Sequence, residues 1–287
     1  MRYRVTHRTS YTYDPRVTHG YNEARVVPRS FAGQRIDHAE LRIEPAPDDR
    51  HDRLDAFGNH TVFFAHQRPI EHLDVTAVSE VETVGSGQLS LAAALAWERA
   101  RPLPHEADRI YALDSPLVQR SDALAELAAG SFTPRRPLED AAAELCTTIF
   151  REFAYKPGTT TVSTSLEEVL EARRGVCQDF AHVLVGCLRS IGLAARYVSG
   201  YLETLPPPGQ PRLVGADASH AWASLRLADG SWLDLDPTND AFAPVDYVTV
   251  GWGRDYGDVP PLKGVVYAAG ATTTLDVGVD VERLPER

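Results

Sequence analysis

The sequence predicts an α+β protein, with an all-β, sandwich-like N-terminal domain followed by a core of helices packed on an antiparallel sheet. Three observations predict it. Residues 1–84 hold short runs of β-branched and aromatic residues separated by turn residues. Residues 138–191 carry apolar residues at helical spacing. From residue 194 the pattern becomes alternating and strand-like. Helices followed by strands is an α+β order rather than alternating βαβ.

Composition narrows the function classes. The chain has 287 residues, of which 43% are hydrophobic and 24% charged, enough for one large core or two smaller ones. The net charge is −11 with no basic stripe, so nucleic acid is not an expected partner. No run approaches the ~18 apolar residues of a membrane-spanning helix. The first residues, from Met1 to Asp14, contain no apolar signal segment. Cys146, Cys177 and Cys187 are an odd, sparse set without a CxxC pair, which argues against a disulfide framework or a structural zinc site. The expectation is a cytoplasmic protein with reduced thiols, no metal and no cofactor.

The elements follow in order. Tyr3, Val5 and His7 alternate with Arg2, Arg4 and Thr6, and Phe57-Gly58-Asn59 is a turn before Thr61-Val62-Phe63-Phe64. Residues 85–135 are a connector broken by prolines, with short helices at 89–99 and 121–129. The core spans 136–245. In it, Leu138, Ala142, Leu145, Ile149 and Phe153 mark one helix. Thr164-Ser165-Leu166-Glu167 caps a second, which runs to about Arg173 until Gly175 interrupts. A third runs from Cys177 to Ile191, with Gly192 as its stop. Strands are expected at 194–203, 219–227 and 231–236. Residues 246–287 return to β, with Leu275, Val277, Val279 and Val281 in strict alternation, and are expected to pair with the N-terminal domain.

Arg173-Arg174-Gly175-Val176-Cys177-Gln178-Asp179-Phe180 is the most informative stretch. A helix N-terminus carries partial positive charge and unpaired N–H groups. Both favour a thiolate placed there, and the N–H groups can also stabilise an oxyanion. Cys177 is therefore a candidate nucleophile, whereas Cys146 and Cys187 lie among apolar helix positions and read as packed. Asp179 reads as helix N-terminal charge.

A cysteine nucleophile needs a base. His182 lies five residues on, about 140° around the helix, and reads as a packed or polar-face residue. His7, His19, His38, His51, His60, His66, His72 and His105 read as surface side chains. His220 opens Ser219-His220-Ala221-Trp222-Ala223-Ser224-Leu225-Arg226-Leu227, which turns at Ala228-Asp229-Gly230 into Ser231-Trp232-Leu233-Asp234-Leu235-Asp236. The apolar residues of this hairpin can share a face only if odd positions pair with odd. Leu227 then faces Ser231, Leu225 faces Leu233, and Ala223 faces Leu235. That register puts His220 diagonal to Asp236 on the opposite face, within side-chain reach. A carboxylate there would orient the imidazole and stabilise its charged form.

At these positions the chain resembles the transglutaminase-like superfamily. Gly175 to His182 and Arg196-Tyr197-Val198-Ser199-Gly200-Tyr201 resemble its nucleophile helix and next strand. Ser219-His220-Ala221-Trp222 and Leu235-Asp236-Pro237-Thr238-Asn239 resemble its histidine and aspartate motifs. Tyr3 to Tyr13, Asp55-Ala56-Phe57-Gly58-Asn59 and Gly253 to Pro261 resemble the flanking regions of bacterial members. The resemblance implies a papain-like core with Cys177 as nucleophile, His220 as base and Asp236 as orienter. Tyr155 and Gln178 are oxyanion or cleft candidates, and Trp222 would wall the His220–Asp236 pair. The expected chemistry is acyl transfer from a peptide or protein amide through a thioester, resolved by water or an amine. One alternative is a cysteine peptidase proper; two more belong to other classes, a binding protein on a retired enzyme fold and a metal-dependent hydrolase.

Overall fold

The computed structural model describes residues 1–84, 90–103, 105–203, 219–242, 246–268, 270 and 272–285. The N-terminal strands are β1 (Arg2–Val17), β2 (His19–Ala24), β3 (Gln34–Glu44), β4 (Asp49–Leu54), β5 (His60–His66) and β6 (Ile70–Thr83). Alternation in β1 buries Tyr3, Val5, His7 and Thr9 while Arg4 and Arg8 face water. After β6 the chain builds a second unit and then returns in β14 (Leu262–Tyr267) and β15 (Thr272–Leu284). β15 pairs antiparallel with β1, Val281 opposite Val5, and β14 pairs with β2. Two four-stranded sheets result, in the orders β15-β1-β6-β3 and β14-β2-β5-β4. Val17, Val62, Phe64, Leu73 and Val75 fill the space between them.

The second unit holds α1 (Glu106–Arg109), α2 (Asp122–Ala129), α3 (Leu138–Glu152), α4 (Leu166–Ala172) and α5 (Cys177–Ser190). Its strands are β7 (Ala154–Tyr155), β8 (Arg174–Gly175), β9 (Ala195–Tyr201), β10 (Ser219–Arg226), β11 (Trp232–Asp236), β12 (Ala241–Phe242) and β13 (Val248–Gly253). The antiparallel sheet runs β12-β11-β10-β9-β13, so the Val248 run joins this sheet rather than the sandwich. Leu145, Ile149, Leu184 and Leu188 of the helices meet Ala223, Leu225, Leu233 and Leu235 of the sheet.

The connector is more integrated than its prolines suggest. Trp97, Val118, Leu124 and Phe132 are buried in the same core. The expected 89–99 helix is instead two 3-10 turns, Leu91–Ala94 and Trp97–Ala100, because Leu95 and Ala96 are extended and Ala96 bridges to Pro137; its first residue lies outside the described residues. Ser121 caps α2, its hydroxyl accepting from the Leu124 N–H. Gly192, at φ 82°, stops α5 by accepting the left-handed conformation.

Sandwich and core share an apolar seam of Tyr3, Val5, Val81, Tyr201, Val248, Val250, Val279 and Val281. His7 lies in this seam, 1% exposed, its Nδ1 2.9 Å from the Tyr201 hydroxyl and its Nε2 2.9 Å from Thr9 Oγ1. His66 is buried as well, with Nε2 2.8 Å from the Pro45 carbonyl. These two histidines correct the surface reading. Each lies in the inward register of its strand and has a polar partner there. The Asn59 side chain accepts from the Trp252 N–H and donates to the Trp252 carbonyl, fastening the sandwich turn to β13.

Two predictions follow from this packing. A Cβ on Gly200 would run into the Val248 carbonyl and come within 2.5 Å of Trp222 Cη2. Gly200→Ala is expected to destabilise the fold by about 1–3 kcal/mol, read as a lower denaturant midpoint at unchanged slope; an unchanged midpoint would contradict the packing. Burial lowers the His7 pKa to about 4 from 6.5. The neutral ring is thus favoured in the folded state, and the stability it contributes is present above pH ~6.5 and lost as pH falls toward 4. His7→Asn is expected to flatten the fall in melting temperature across that window, and an identical pH dependence would contradict it.

Candidate active site

The nucleophile helix is set in place by its approach. α4 ends where Arg173 takes a left-handed conformation, φ 47°, so Arg173 rather than Gly175 stops the helix. Arg174–Gly175 then pairs in parallel with Ala154–Tyr155, and the Gly175 carbonyl accepts from the Lys156 N–H at 2.9 Å. Gly175 is needed for a different reason. A Cβ there would stand 2.5 Å from Asp179 Oδ2. That buried carboxylate accepts from the Val176 N–H at 2.8 Å and the Thr160 hydroxyl at 2.7 Å. It caps α5 and ties down the loop after β7. Cys177 opens α5 half-buried, and the N–H groups of Cys177 and Gln178 have no acceptor within the helix.

The β10–β11 hairpin supplies the other two groups. Its register is Leu225 opposite Leu233 and Ala223 opposite Leu235, with the Leu227 N–H donating to the Ser231 carbonyl. His220 Nε2 lies 2.7 Å from Asp236 Oδ2. This leaves Nδ1 for other partners, and the Cys177 thiol sits against the imidazole. Asp236 is fully buried and saturated with donors. Oδ2 also accepts from the Tyr247 hydroxyl at 2.6 Å and from Asn239 Nδ2 at 2.7 Å. Oδ1 accepts from the Thr238 N–H at 2.8 Å and the Asn239 N–H at 3.3 Å. Burial alone raises a carboxylate's pKa, but the hydrogen bonds of His220, Tyr247 and Asn239 bring that of Asp236 below its usual value. Burial likewise pulls the His220 pKa down, and the hydrogen bonds of Asp236 and Cys177 overcome it, carrying the imidazole up to about 9.

The structure brings Cys177, His220 and Asp236 together. Trp222 is fully buried beside them, its ring stacked 6.2 Å from His220 and edge-on to Tyr247 at 5.2 Å. Tyr155 is 55% exposed on β7, its ring edge-on to Phe180. Gln178 is half-buried on the first turn of α5. His182 is buried and accepts from the Tyr256 N–H at 3.1 Å. Cys146 and Cys187 are buried, and burial pushes both thiols up. Sequence reasoning missed Tyr247 and the role of Asn239. Asn239 stands in a Pro-Thr-Asn turn, a signal for side-chain bonding back to Asp236. Tyr247 carries no local signal, since its position depends on β13 crossing beside β9. Among the described residues no three His, Cys, Asp or Glu side chains converge as metal ligands.

Asp236→Asn removes the charge that holds the imidazolium. The His220 pKa is expected to fall from about 9 to near or below the ordinary 6.5, as read by NMR titration of the labelled ring. A ring that still titrates near 9 would show that Asp236 does not control it.

Comparison with known proteins agrees with this architecture. Residues 3–82 match the bacterial transglutaminase-like N-terminal region, and residues 125–237 match the transglutaminase-like superfamily. An uncharacterized protein of Mycobacterium tuberculosis is 45% identical over 98% of this chain and 92% of its own length. The protein-glutamine gamma-glutamyltransferase of Pseudomonas aeruginosa is 35% identical over 30% of this chain and 13% of its own. The solved structure of the Putative Cysteine Protease from Cytophaga hutchinsonii covers 100% of this chain and 92% of that one, with a TM-score of 0.76 at 19% identity, a likeness of fold. The chain therefore belongs to the bacterial transglutaminase-like proteins, a β sandwich joined to an α+β core.

Proposed function

We propose that this protein transfers acyl groups from peptide or protein amides through a thioester on Cys177. One observation carries the reading: a half-buried thiol at a helix start sits against an imidazole that is itself held 2.7 Å from a buried carboxylate. The Cys177 sulfur attacks the amide carbon, and the carbonyl electron pair moves to oxygen. When that pair returns, the C–N bond breaks and the His220 imidazolium protonates the departing amine. Asp236 holds the ring and its charge throughout and takes no proton. Water or a second amine then releases the acyl group. The local likeness to a protein-glutamine gamma-glutamyltransferase supports an amine as one acceptor. Cys146 and Cys187 are too buried to compete as nucleophiles.

The test incubates the protein with glutamine-containing peptides and a fluorescent primary amine, following intact mass. The wild type is expected to gain an acyl adduct on Cys177 and to release ammonia, and Cys177→Ala to do neither. Asp236→Asn is expected to slow turnover by about 10²–10⁴-fold. Undiminished turnover by Cys177→Ala would end the proposal.

A further inference from the structure

Main-chain N–H groups at the start of α5 supply one side of an oxyanion hole. A second donor is best placed in a wall largely shielded from water, because a donor already satisfied by water has less to offer. Tyr197, the third residue of β9, occupies such a wall. It is 2% exposed and packs with Ala181, Ala221 and Val259, with Cys177 and Tyr256 at the rim of the same cluster. Its ring is gripped from two sides, by the His182 ring at 5.0 Å and by the Tyr256 ring edge-on at 6.3 Å.

Both grips are themselves fixed. Burial lowers the His182 pKa to about 4, so the ring is neutral and its Nε2 accepts the Tyr256 N–H. Asp255 braces the turn that carries Tyr256, accepting from the Gly257 N–H at 2.8 Å and the Leu117 N–H at 2.9 Å. The Tyr197 hydroxyl, in contrast, is idle. Four residues along the same strand, the Tyr201 hydroxyl meets His7 at 2.9 Å. That of Tyr197 has no hydrogen-bond partner among the described residues, and its oxygen is not sealed off, which leaves it free to meet an incoming group. Burial first, and the nearby Cys177 second, push its pKa well above the ordinary value, so it remains a donor.

We propose that the Tyr197 hydroxyl is the side-chain donor to the oxyanion formed when Cys177 attacks an acyl carbon. The inference rests on the thioester chemistry proposed above. As the S–C bond forms, the carbonyl pair moves to oxygen, which accepts hydrogen bonds from the Tyr197 O–H and the α5 N–H groups. The pair then returns and the leaving group departs. Tyr197 keeps its proton throughout. The hydroxyl of Tyr155, on a ring 55% exposed, is open to competition from water.

The probe is p-nitrophenyl acetate, which acylates a reactive thiol with a burst of p-nitrophenolate whatever the natural substrate. Iodoacetamide alkylation of Cys177, a displacement without an oxyanion, is measured in parallel. Tyr197→Phe is expected to slow the burst about 10²-fold while alkylation keeps its wild-type rate. Acylation at the wild-type rate would overturn the proposal. So would equal losses of acylation and alkylation, which would place Tyr197 in thiol activation or folding instead. A burst that survives in Cys177→Ala would strike the thioester chemistry itself rather than the role of Tyr197.

Discussion

The buried carboxylate of Asp236 is the interaction on which the site depends. An ionised group with no solvent exposure is tolerable only when donors replace its water shell. Asp236 has five, from the His220 ring, the Tyr247 hydroxyl, the Asn239 amide and two backbone N–H groups. Removing one partner from such an arrangement costs about 3–5 kcal/mol in comparable buried pairs. The donors come from β10, from the turn after β11 and from the residue before β13, so satisfying one charge draws the end of the sheet together. The imidazole is oriented as a by-product of that local requirement.

The second constraint is the approach to α5. Asp179 caps the helix by folding back over Gly175, and its reach to Thr160 fixes the loop that borders the cleft. Cys177 and His220 are therefore held by separate carboxylates on separate elements. They meet because α5 packs on β9 and β10 through Ala181, Tyr197 and Ala221. Such convergence from rigid helix and strand positions holds geometry better than loops would.

Much of this was legible in the sequence, and the reason differs by element. The hairpin register followed from the odd-numbered apolar positions of β10 and β11, because a slip of one residue would turn every leucine outward. The place of Cys177 at the start of α5 followed from the apolar spacing of the residues after it. The N-terminal strands followed from alternation, and the same alternation carried an unused signal, since His7 stands in the inward register of Tyr3 and Val5. Tyr197 and Tyr247 were not legible. Each acts across a strand pairing that local pattern does not encode, β9 with β10 for the first and β13 with β9 for the second. Arg173 as a helix stop was hidden for another reason, because arginine rarely adopts the left-handed conformation it takes here.

The pairing of β1 with β15 has a consequence for how the molecule assembles. β1 pairs with β6 on one side but finds its other neighbour only in β15, and β2, beside β5, waits similarly for β14. Contacts so distant along the chain form slowly, and an open sheet edge invites pairing with other molecules in the interval. A chain cut short before residue 272 would lack β15 and leave β1 as an open, sticky sheet edge, the kind of surface that chaperones and proteases recognise.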